Sequence, residues 1–396
     1  MIEELKLTNW KSFGESTLYI EPLTFIIGFN SSGKSNILDA LSFLSNLSKG
    51  VTIDEAARAT RGGEEWLLRM GTSSSTLELK IHDEDSNADY LYQMEICRND
   101  SKFEVCREKL VKQTTGTQTL LLETDGRNAE SRLLSSTSYT GNRGRRRKIE
   151  EVFCDRMPLY QIASKNITNE VERGMTFVLQ KLRNIFVFNP IPSLMRNYVP
   201  LQTELKEDAS NIAGVLAGIH EFQRIPVLER IAQYVRNLPE RDIVRIWTET
   251  VGLFGKDAML YCKEKWTNDT ELTLDAKGMS DGTLRFIAIV TALLTLPKNT
   301  LLLIEEVDNG LHPSRATELV TALKTIGNER SIDVICTTHN PYLIDALGSE
   351  MIPCISYIKR DGNTGNSTIC LLEEHENLFN IMASGSIGMS MANGRI

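Results

Sequence analysis

The sequence predicts an α/β fold with an antiparallel β-lobe and a helical insertion, and three stretches predict it. Residues 24–36, Thr-Phe-Ile-Ile-Gly-Phe-Asn-Ser-Ser-Gly-Lys-Ser-Asn, place a G-x-x-x-x-G-K-S pattern between a short apolar run and a helical pattern. Leu301-Leu-Leu-Ile-Glu-Glu306 is an apolar run closed by two carboxylates, as expected of a buried strand whose C-terminal end faces a ligand. Between them, Thr76 to about Leu122 alternates apolar and polar residues over several short segments, the mark of an antiparallel meander.

The N-terminal elements lead into the first of these stretches. Met1 to Asn9, with Ile2, Leu5 and Leu7, and Leu18 to Ile20 read as strands. Leu23 to Ile27 is the buried strand feeding the loop, and Ile37, Leu38, Ala40, Leu41 and Leu44 mark one face of a helix over Asn36 to Leu47. A nucleoside triphosphate presents several negative charges. Small residues let backbone N–H groups close around them, and the helix N-terminus adds partial positive charge. In that setting Lys34 reaches the outer phosphates and the Ser35 hydroxyl ligates Mg2+. The competing reading is a Gly/Ser-rich turn that only caps a helix; the agreement of strand, motif and helix outweighs it.

Val51 to Met70 reads as helical or irregular, broken at Gly62-Gly63. In the meander Leu77, Leu79 and Ile81 alternate, then Tyr90, Tyr92 and Met94, then Phe103 and Val105, with turns at 83–87 and 98–101. Residues 125–147 are rich in Gly, Ser, Thr, Asn and Arg and are expected to form a mobile loop. Its end carries Arg143, Arg145, Arg146, Arg147 and Lys148, candidate contacts for nucleic-acid phosphates, although a solvated surface run is the commoner meaning. Glu150 to Arg183 and Gln202 to Gly255 are expected to be mostly helical from their apolar spacing, with Phe186-Val-Phe188 a strand between them.

The second decisive stretch follows the insertion. Glu305 is placed to hold Mg2+ directly or through water, and Glu306 to orient or deprotonate an attacking water. Ahead of it, Lys277 to Arg285 opens a helix through Phe286, Ile287, Ile289, Val290, Leu293 and Leu294; Ser280 suits the N-cap, and the Gly282 amide can approach an anion closely. Asp333-Val-Ile-Cys-Thr-Thr-His-Asn340 reads as a strand ending in His339, with Pro341 terminating it. A strand-end histidine is by itself more often a turn residue, and it gains meaning from its company. Cys354–Lys359 and Thr368–Leu372 read as final strands, and Gly385 to Gly388 begins a short tail.

Composition bounds the partners. Apolar content of 41%, charged content of 24% and a formal net charge of −8 fit a globular chain without a global basic field. Seven cysteines lie at 97, 106, 154, 262, 336, 354 and 370 with no C-x-x-C spacing and no histidine cluster; they are expected to be unpaired, in a reducing cytosol, without structural zinc. No stretch approaches a membrane span, and Glu3 and Glu4 disfavour a targeting sequence, so a cytoplasmic chain without membrane contact is expected.

Taken in order, the phosphate loop, Ser-Asp-Gly-Thr, the apolar strand with Glu-Glu and Thr-Thr-His make the chain resemble the ABC-type ATPases, in their RecF, SMC and OLD-like branch. The family's Lys-Ser-Phe element resembles Lys11-Ser-Phe13. Its G-x-N-x-S-G-K-S-N loop resembles the stretch carrying Gly28, Asn30, Ser31, Ser32, Gly33, Lys34, Ser35 and Asn36. Its signature is similar to Ser280–Thr283, its Walker B segment to Leu301–Glu306 and its switch histidine to His339. Glu-Glu followed by Leu311-His312-Pro313 is similar to OLD and related bacterial AAA-type ATPases. The middle matches loosely, through Phe188-Asn-Pro190 with Arg196 and Asp208-Ala-Ser-Asn211.

The resemblance implies an ABC-type P-loop NTPase core that takes ATP and Mg2+, with Lys11, Ser280 and Gly282 joining the loop residues as nucleotide contacts and Ser35 and Glu305 as metal ligands. It implies that two copies sandwich ATP, Ser280 of one touching the γ-phosphate held at Lys34 of the other. His339 then senses that phosphate and Glu306 polarises water. Glu305 replaces the family's aspartate and His312 stands at the D-loop aspartate position, so hydrolysis is expected to be slow. Gln161 and Gln180 are both candidates for the Q-loop glutamine. The core halves are expected at 1–122, with the β-lobe, and 257–396, flanking the basic loop and helical insertion at 123–256. So few residues follow His339 that the Toprim nuclease domain of OLD-like proteins is not expected within this chain. The implied partners are a second copy or a larger homo-oligomer, a separate effector such as a nuclease, and DNA through the basic run. The favoured reading is an ATP-driven switch or scaffold in bacterial anti-phage defence or DNA transactions. A RecF-like repair ATPase is the alternative, and a transporter subunit is disfavoured by the large insertion between the two Walker segments.

Overall fold

The computed structural model describes residues 1–99, 102–125, 133–140, 146–163, 169–238, 243–267, 270–383 and 386–393. β1 (Ile2–Trp10) and β2 (Phe13–Tyr19) form a hairpin closed at Lys11-Ser12, with Trp10 opposite Phe13. β2 begins earlier than its apolar residues suggest, because the ladder to β1 recruits Gly14-Glu-Ser-Thr17 through backbone bonds. β3 (Leu23–Ile27) is buried at every position and feeds α1 (Lys34–Ser48) through the phosphate loop. α2 (Ile53–Arg58) opens on a capping box between Thr52 and Glu55.

The meander follows as β4 (Ser74–Asp83), β5 (Ala88–Asn99), β6 (Lys102–Thr114) and β7 (Thr117–Asp125), and continues as β8 (Leu133–Thr140) and β9 (Arg146–Phe153). After α3 (Pro158–Ala163), α4 (Asn169–Arg183) and β10 (Ile185–Phe188) come β11 (Val199–Pro200), α5 (Ile212–Gly218) and α6 (Glu221–Arg236). The chain then runs through β12 (Ile243–Val251), β13 (Asp257–Lys265), β14 (Glu271–Asp275), α7 (Asp281–Thr295), β15 (Leu301–Ile304), α8 (Ala316–Arg330), β16 (Asp333–Thr338) and α9 (Pro341–Leu347). β17 (Ile355–Arg360), β18 (Ser367–Leu371), α10 (Leu378–Ala383) and α11 (Ile387–Ala392) close it.

Two compact units result, Met1–Ile185 with Cys354–Glu374, and Phe186–Pro353 with His375–Ile396. In the first, strands follow the order β3-β17-β18-β2-β1-β4-β5-β6-β7-β8-β9. β17 is parallel to β3, whereas the lobe from β1 through β9 is antiparallel. Glu108, in β6 of the lobe, is a fully buried carboxylate. Its Oε1 accepts from the Tyr92 hydroxyl at 2.5 Å, its Oε2 accepts from the Leu159 amide at 2.7 Å, and burial pushes its pKa up to about 8. In the second unit β15 and β16 are parallel, and β11, β13, β12 and β14 form a separate antiparallel sheet.

Four expectations are corrected. Part of the loop expected at 125–147 is the β8–β9 hairpin, registered from Leu133 opposite Phe153 to Thr140 opposite Arg146. β8 is mostly Ser, Thr and Tyr and β9 opens on Arg-Arg-Lys, so neither strand shows an apolar alternation to read. Arg143 and Arg145 lie outside the described residues, as do the side chains of Arg146, Arg147 and Lys148, part of the turn at 98–101, and Gly385. The helix expected through Gly255 gives way to β12. A bulge between Ile243 and Arg245 puts the buried Ile243 and Ile246 three residues apart, a helical spacing inside a strand. The helical insertion therefore also holds a sheet. Finally, Cys97 and Cys106 are not unpaired: the β5–β6 ladder brings their Cα atoms to 5.9 Å and they are disulfide-bonded.

Candidate functional site

The sequence-predicted residues fall into two groups, one in each unit. In the first, the φ values at Gly28, Ser31 and Gly33 are +152°, +65° and +115°, so the chain between β3 and α1 curls back on itself. A Cβ on Gly33 would stand 2.8 Å from the hydroxyls of Ser12 and Ser367, and one on Gly28 would stand 2.8 Å from Ser32 Oγ. Both glycines are therefore required by close approach as well as by conformation. Lys34, 7% exposed, folds over the loop and donates to the carbonyls of Gly28 at 2.7 Å and Phe29 at 2.9 Å. α1 starts with no side-chain cap bond and no acidic residue in its first turn, leaving its N-terminal amides to the loop. Ser32 Oγ is buried with no partner among the described residues. A buried hydroxyl without a partner is costly, and as a donor it suits an anion.

The loop is braced from neighbours that no local pattern signals. Asn36 donates to Ser12 Oγ at 2.9 Å and accepts through its carbonyl from the Trp10 indole at 2.8 Å. Ser367 donates to the Ser32 carbonyl at 2.5 Å, and Arg360 donates to the Ser31 carbonyl at 3.0 Å. Lys11 sits beside the loop but is engaged elsewhere, with its ammonium 2.6 Å from Asp39 and 2.7 Å from the Arg61 carbonyl. Burial lowers its pKa, opposed by the Asp39 carboxylate. Asn30 and Ser31 are exposed and Ser35 is half-buried at the helix start.

In the second unit, β15 ends in Glu305 and Glu306, and Glu306 holds φ +43°, a strained value for a side-chain-bearing residue. Its amide donates to Thr337 Oγ1 at 2.9 Å, which ties this turn to the neighbouring strand β16. β16 delivers His339, whose Nδ1 is 3.6 Å from Glu306 Oε1, beyond hydrogen-bond length. Thr338 Oγ1 donates to Asp308 at 2.6 Å and accepts from the Asn340 amide at 3.0 Å, setting the turn that carries the histidine. Glu306, Asp308, His339 and Asn340 line one open pocket of about 360 Å³.

The signature residues start α7 as expected, with Ser280 Oγ accepting from the Thr283 amide at 3.2 Å. Gly282 is needed for a further reason: a Cβ there would lie 2.7 Å from the Gly310 carbonyl. Arg285, unassigned by sequence, spans from the Pro190 carbonyl at 3.0 Å to those of Glu305 and Glu306 at 3.1 and 3.0 Å. Arg196 donates to the Met279 carbonyl at 2.8 Å and to Asp281 at 2.7 Å. His312 caps the next turn, its ring bonded to Ser314 at 2.7 Å. Gln161, one Q-loop candidate, is bonded to both backbone groups of Phe153 at 2.8 Å, while Gln180 is exposed.

Residues 23–345 match the profile of the family AAA_21, described as "AAA domain, putative AbiEii toxin, Type IV TA system". The chain belongs to this family. Curated relatives match a shorter stretch. The DNA replication and repair protein RecF of Arthrobacter sp. (strain FB24) is 33% identical over 91 residues, covering 22% of this chain and 23% of that protein. RecF of Corynebacterium jeikeium (strain K411) is 38% identical over 82 residues, covering 20% of this chain and 19% of the relative. The match thus spans less than a quarter of these relatives' length.

Two solved structures are similar over nearly the whole AAA_21 chain. The SMC head bound to the C-winged helix domain of ScpA has a TM-score of 0.51 at 14% identity, covering 93% of this chain and 96% of that one. The Smc head with an extended coiled coil bound to the C-terminal domain of ScpA, from Pyrococcus furiosus, has a TM-score of 0.50 at 12% identity, covering 96% and 99%. At that identity the likeness concerns the fold: a mixed α/β, SMC-head-like ABC-type ATPase fold with an antiparallel β-lobe. The resemblance to RecF seen in the motifs is matched by these sequence relatives, and that to SMC heads by the fold. Among the described residues no helix is long and apolar enough to cross a membrane.

Proposed function

We propose that this AAA_21 protein binds Mg-ATP on its phosphate loop, hydrolyses it, and uses the cycle as a switch that engages a separate effector. The observation carrying this reading is the loop itself. Lys34 folds over carbonyls, Ser32 Oγ is buried without a partner, and the uncapped helix start adds its N–H groups, so an anion has a preformed cradle. Mg-ATP supplies the phosphoanhydride to be cleaved and the metal's charge. Lys34 neutralises the outer phosphates, and the loop from Gly28 through Asn36 gives backbone donors. Ser35 is the ligand that the loop would offer to Mg2+ and Glu305 the one that the end of β15 would offer, and Mg2+ takes few protein oxygens. Among the described residues no group of three or more His, Cys, Asp or Glu forms a dedicated metal cage.

Glu306 orients the attacking water, and His339, within 3.6 Å of it, is positioned to sense the reacting phosphate. Ser280 and Gly282 reach the nucleotide of a second copy, which makes assembly ATP-dependent. The effector is a separate protein. SMC heads in the similar structures are bound to domains of ScpA, and the AAA_21 description names a toxin system, which favours defence or DNA transactions as the setting.

The test is the mass in solution of wild type, Lys34→Ala and Glu306→Gln with and without Mg-ATP, alongside phosphate release. Lys34→Ala is expected to lose binding, and Glu306→Gln to bind, stop turnover and accumulate as a larger species. A Glu306→Gln protein with wild-type turnover refutes the assignment. The second reading, a RecF-like DNA-binding ATPase, draws on the run 143–148 and the name of the curated relatives. Its mark is ATP-enhanced DNA binding that weakens steeply with salt.

A further inference from the structure

We propose that Arg360 is an additional nucleotide-contacting cation of the phosphate loop, an inference that rests on reading that loop as an ATP site. β17 runs parallel to β3 with Ile355 opposite Phe25, Ser356 opposite Ile26 and Tyr357 opposite Ile27. The same register carries Ile358 to Gly28, where a Cβ would stand 3.0 Å from the Ile358 carbonyl oxygen. Two residues later Arg360 arrives at the loop. Its Nη1 donates to the Ser31 carbonyl at 3.0 Å and its Nε to the Gly365 carbonyl at 3.3 Å. Both strands end on the same side, and the C-terminal ends of parallel strands are where open α/β sheets hold ligands. A guanidinium therefore stands at the rim of the anion cradle.

Its charge separates Arg360 from a mere strut. The side chain is exposed and has no carboxylate partner among the described residues. The adjacent Asp361 is committed to its own turn, accepting from the amides of Asn363 at 2.9 Å and Thr364 at 2.7 Å and from the Thr364 hydroxyl at 3.0 Å. Lys11, the cation that the sequence favours at this mouth, is paired with Asp39, its side chain 5% exposed. One rim cation is thus neutralised inside the protein and the other is not. A guanidinium carries five N–H donors, so the two bonds to carbonyls leave others for phosphate oxygens. The next strand adds rigidity, since Ser367 grips the Ser32 carbonyl while Arg360 holds that of Ser31. Preorganisation of this kind limits the ordering cost when the anion arrives.

Calorimetric titration of the full chain with Mg-ATP, Mg-ADP and AMP tests the assignment, using wild type, Arg360→Ala, Arg360→Lys and Lys34→Ala. Arg360→Ala is expected to weaken ATP by about tenfold, the size of one charge-assisted hydrogen bond, with AMP affected less. Arg360→Lys is expected to recover part of the loss, and nucleotide-free melting to stay near wild type. Unchanged ATP affinity in Arg360→Ala, while Lys34→Ala fails to bind, overturns the role of Arg360 and leaves the ATP site standing. Equal losses for ATP and AMP with a lowered melting midpoint also overturn it, by making Arg360 a brace only. A wild-type chain that binds no ATP overturns the site reading and this inference together.

Discussion

Glu108→Gln is expected to stabilise the first unit, and to do so more as the pH rises. Two effects oppose each other at this buried carboxylate. Desolvation disfavours its ionised form, while the Tyr92 hydroxyl and the Leu159 amide favour it; desolvation is the larger, and the pKa is pushed up to about 8 from an ordinary 4.5. In the unfolded chain the group ionises near 4.5. A raised folded pKa means that its contribution to stability is fully present below pH 4.5 and is lost progressively as the pH climbs through 8. At about 1.36 kcal/mol per pH unit, roughly two and a half units between the unfolded pKa and pH 7 correspond to a cost of about 3 kcal/mol in the wild type.

Glutamine removes the titration and keeps both bonds, its carbonyl accepting from Leu159 and its amide donating to the Tyr92 oxygen. For a unit of this size about 3 kcal/mol corresponds to roughly 6–12 °C in melting midpoint. Melting of both proteins from pH 5 to 9, followed by the fluorescence of the buried Trp10, reads the difference. The gap is expected to widen steadily from pH 5 to 8 and then level off. A constant gap, or a variant that is less stable at pH 8 than at pH 5 relative to wild type, refutes the reasoning, because either means that the hydrogen bonds hold the carboxylate ionised.

Three further outcomes follow from particular contacts. Asp39→Ala strands the Lys11 ammonium, whose side chain is 5% exposed; by urea unfolding it is expected to cost roughly 3–5 kcal/mol, partly recovered by adding Lys11→Met, and a single variant within about 1 kcal/mol of wild type contradicts the pairing. A Cβ on Gly388 would lie 2.0 Å from the carbonyl oxygen of Pro341, which starts α9, so Gly388→Ala is expected to lift α11 away from that helix and to loosen the bonds that Asp345, further along it, accepts from Ser386 and the Gly388 amide. Faster amide exchange across 341–347 and 386–393 is the readout, and unchanged exchange counts against that contact. Thiol titration of the denatured chain without reductant is expected to find five of the seven cysteines, and seven reactive thiols would rule out the Cys97–Cys106 bond.

What the sequence by itself determined is local. β3, α1, the Ser280 cap of α7, β15 with its carboxylates and the strand leading to His339 all lie in contiguous residues, where periodicity, capping and loop chemistry act within a few positions. The same local rules mislead where a bulge gives β12 a helical spacing, and they are silent on β8, a strand of hydroxyl-bearing residues. Only the tertiary structure decided which distant side chains brace and charge these elements. Ser367 and Arg360 on the loop carbonyls, Asp39 on Lys11, Thr338 on Asp308, Glu108 beneath Tyr92 and the Cys97–Cys106 bond each depend on strand register or on how elements pack. Hydrogen bonds and ion pairs reach only about 3 Å, and a linear sequence carries no record of which residues the chain's path brings within that distance.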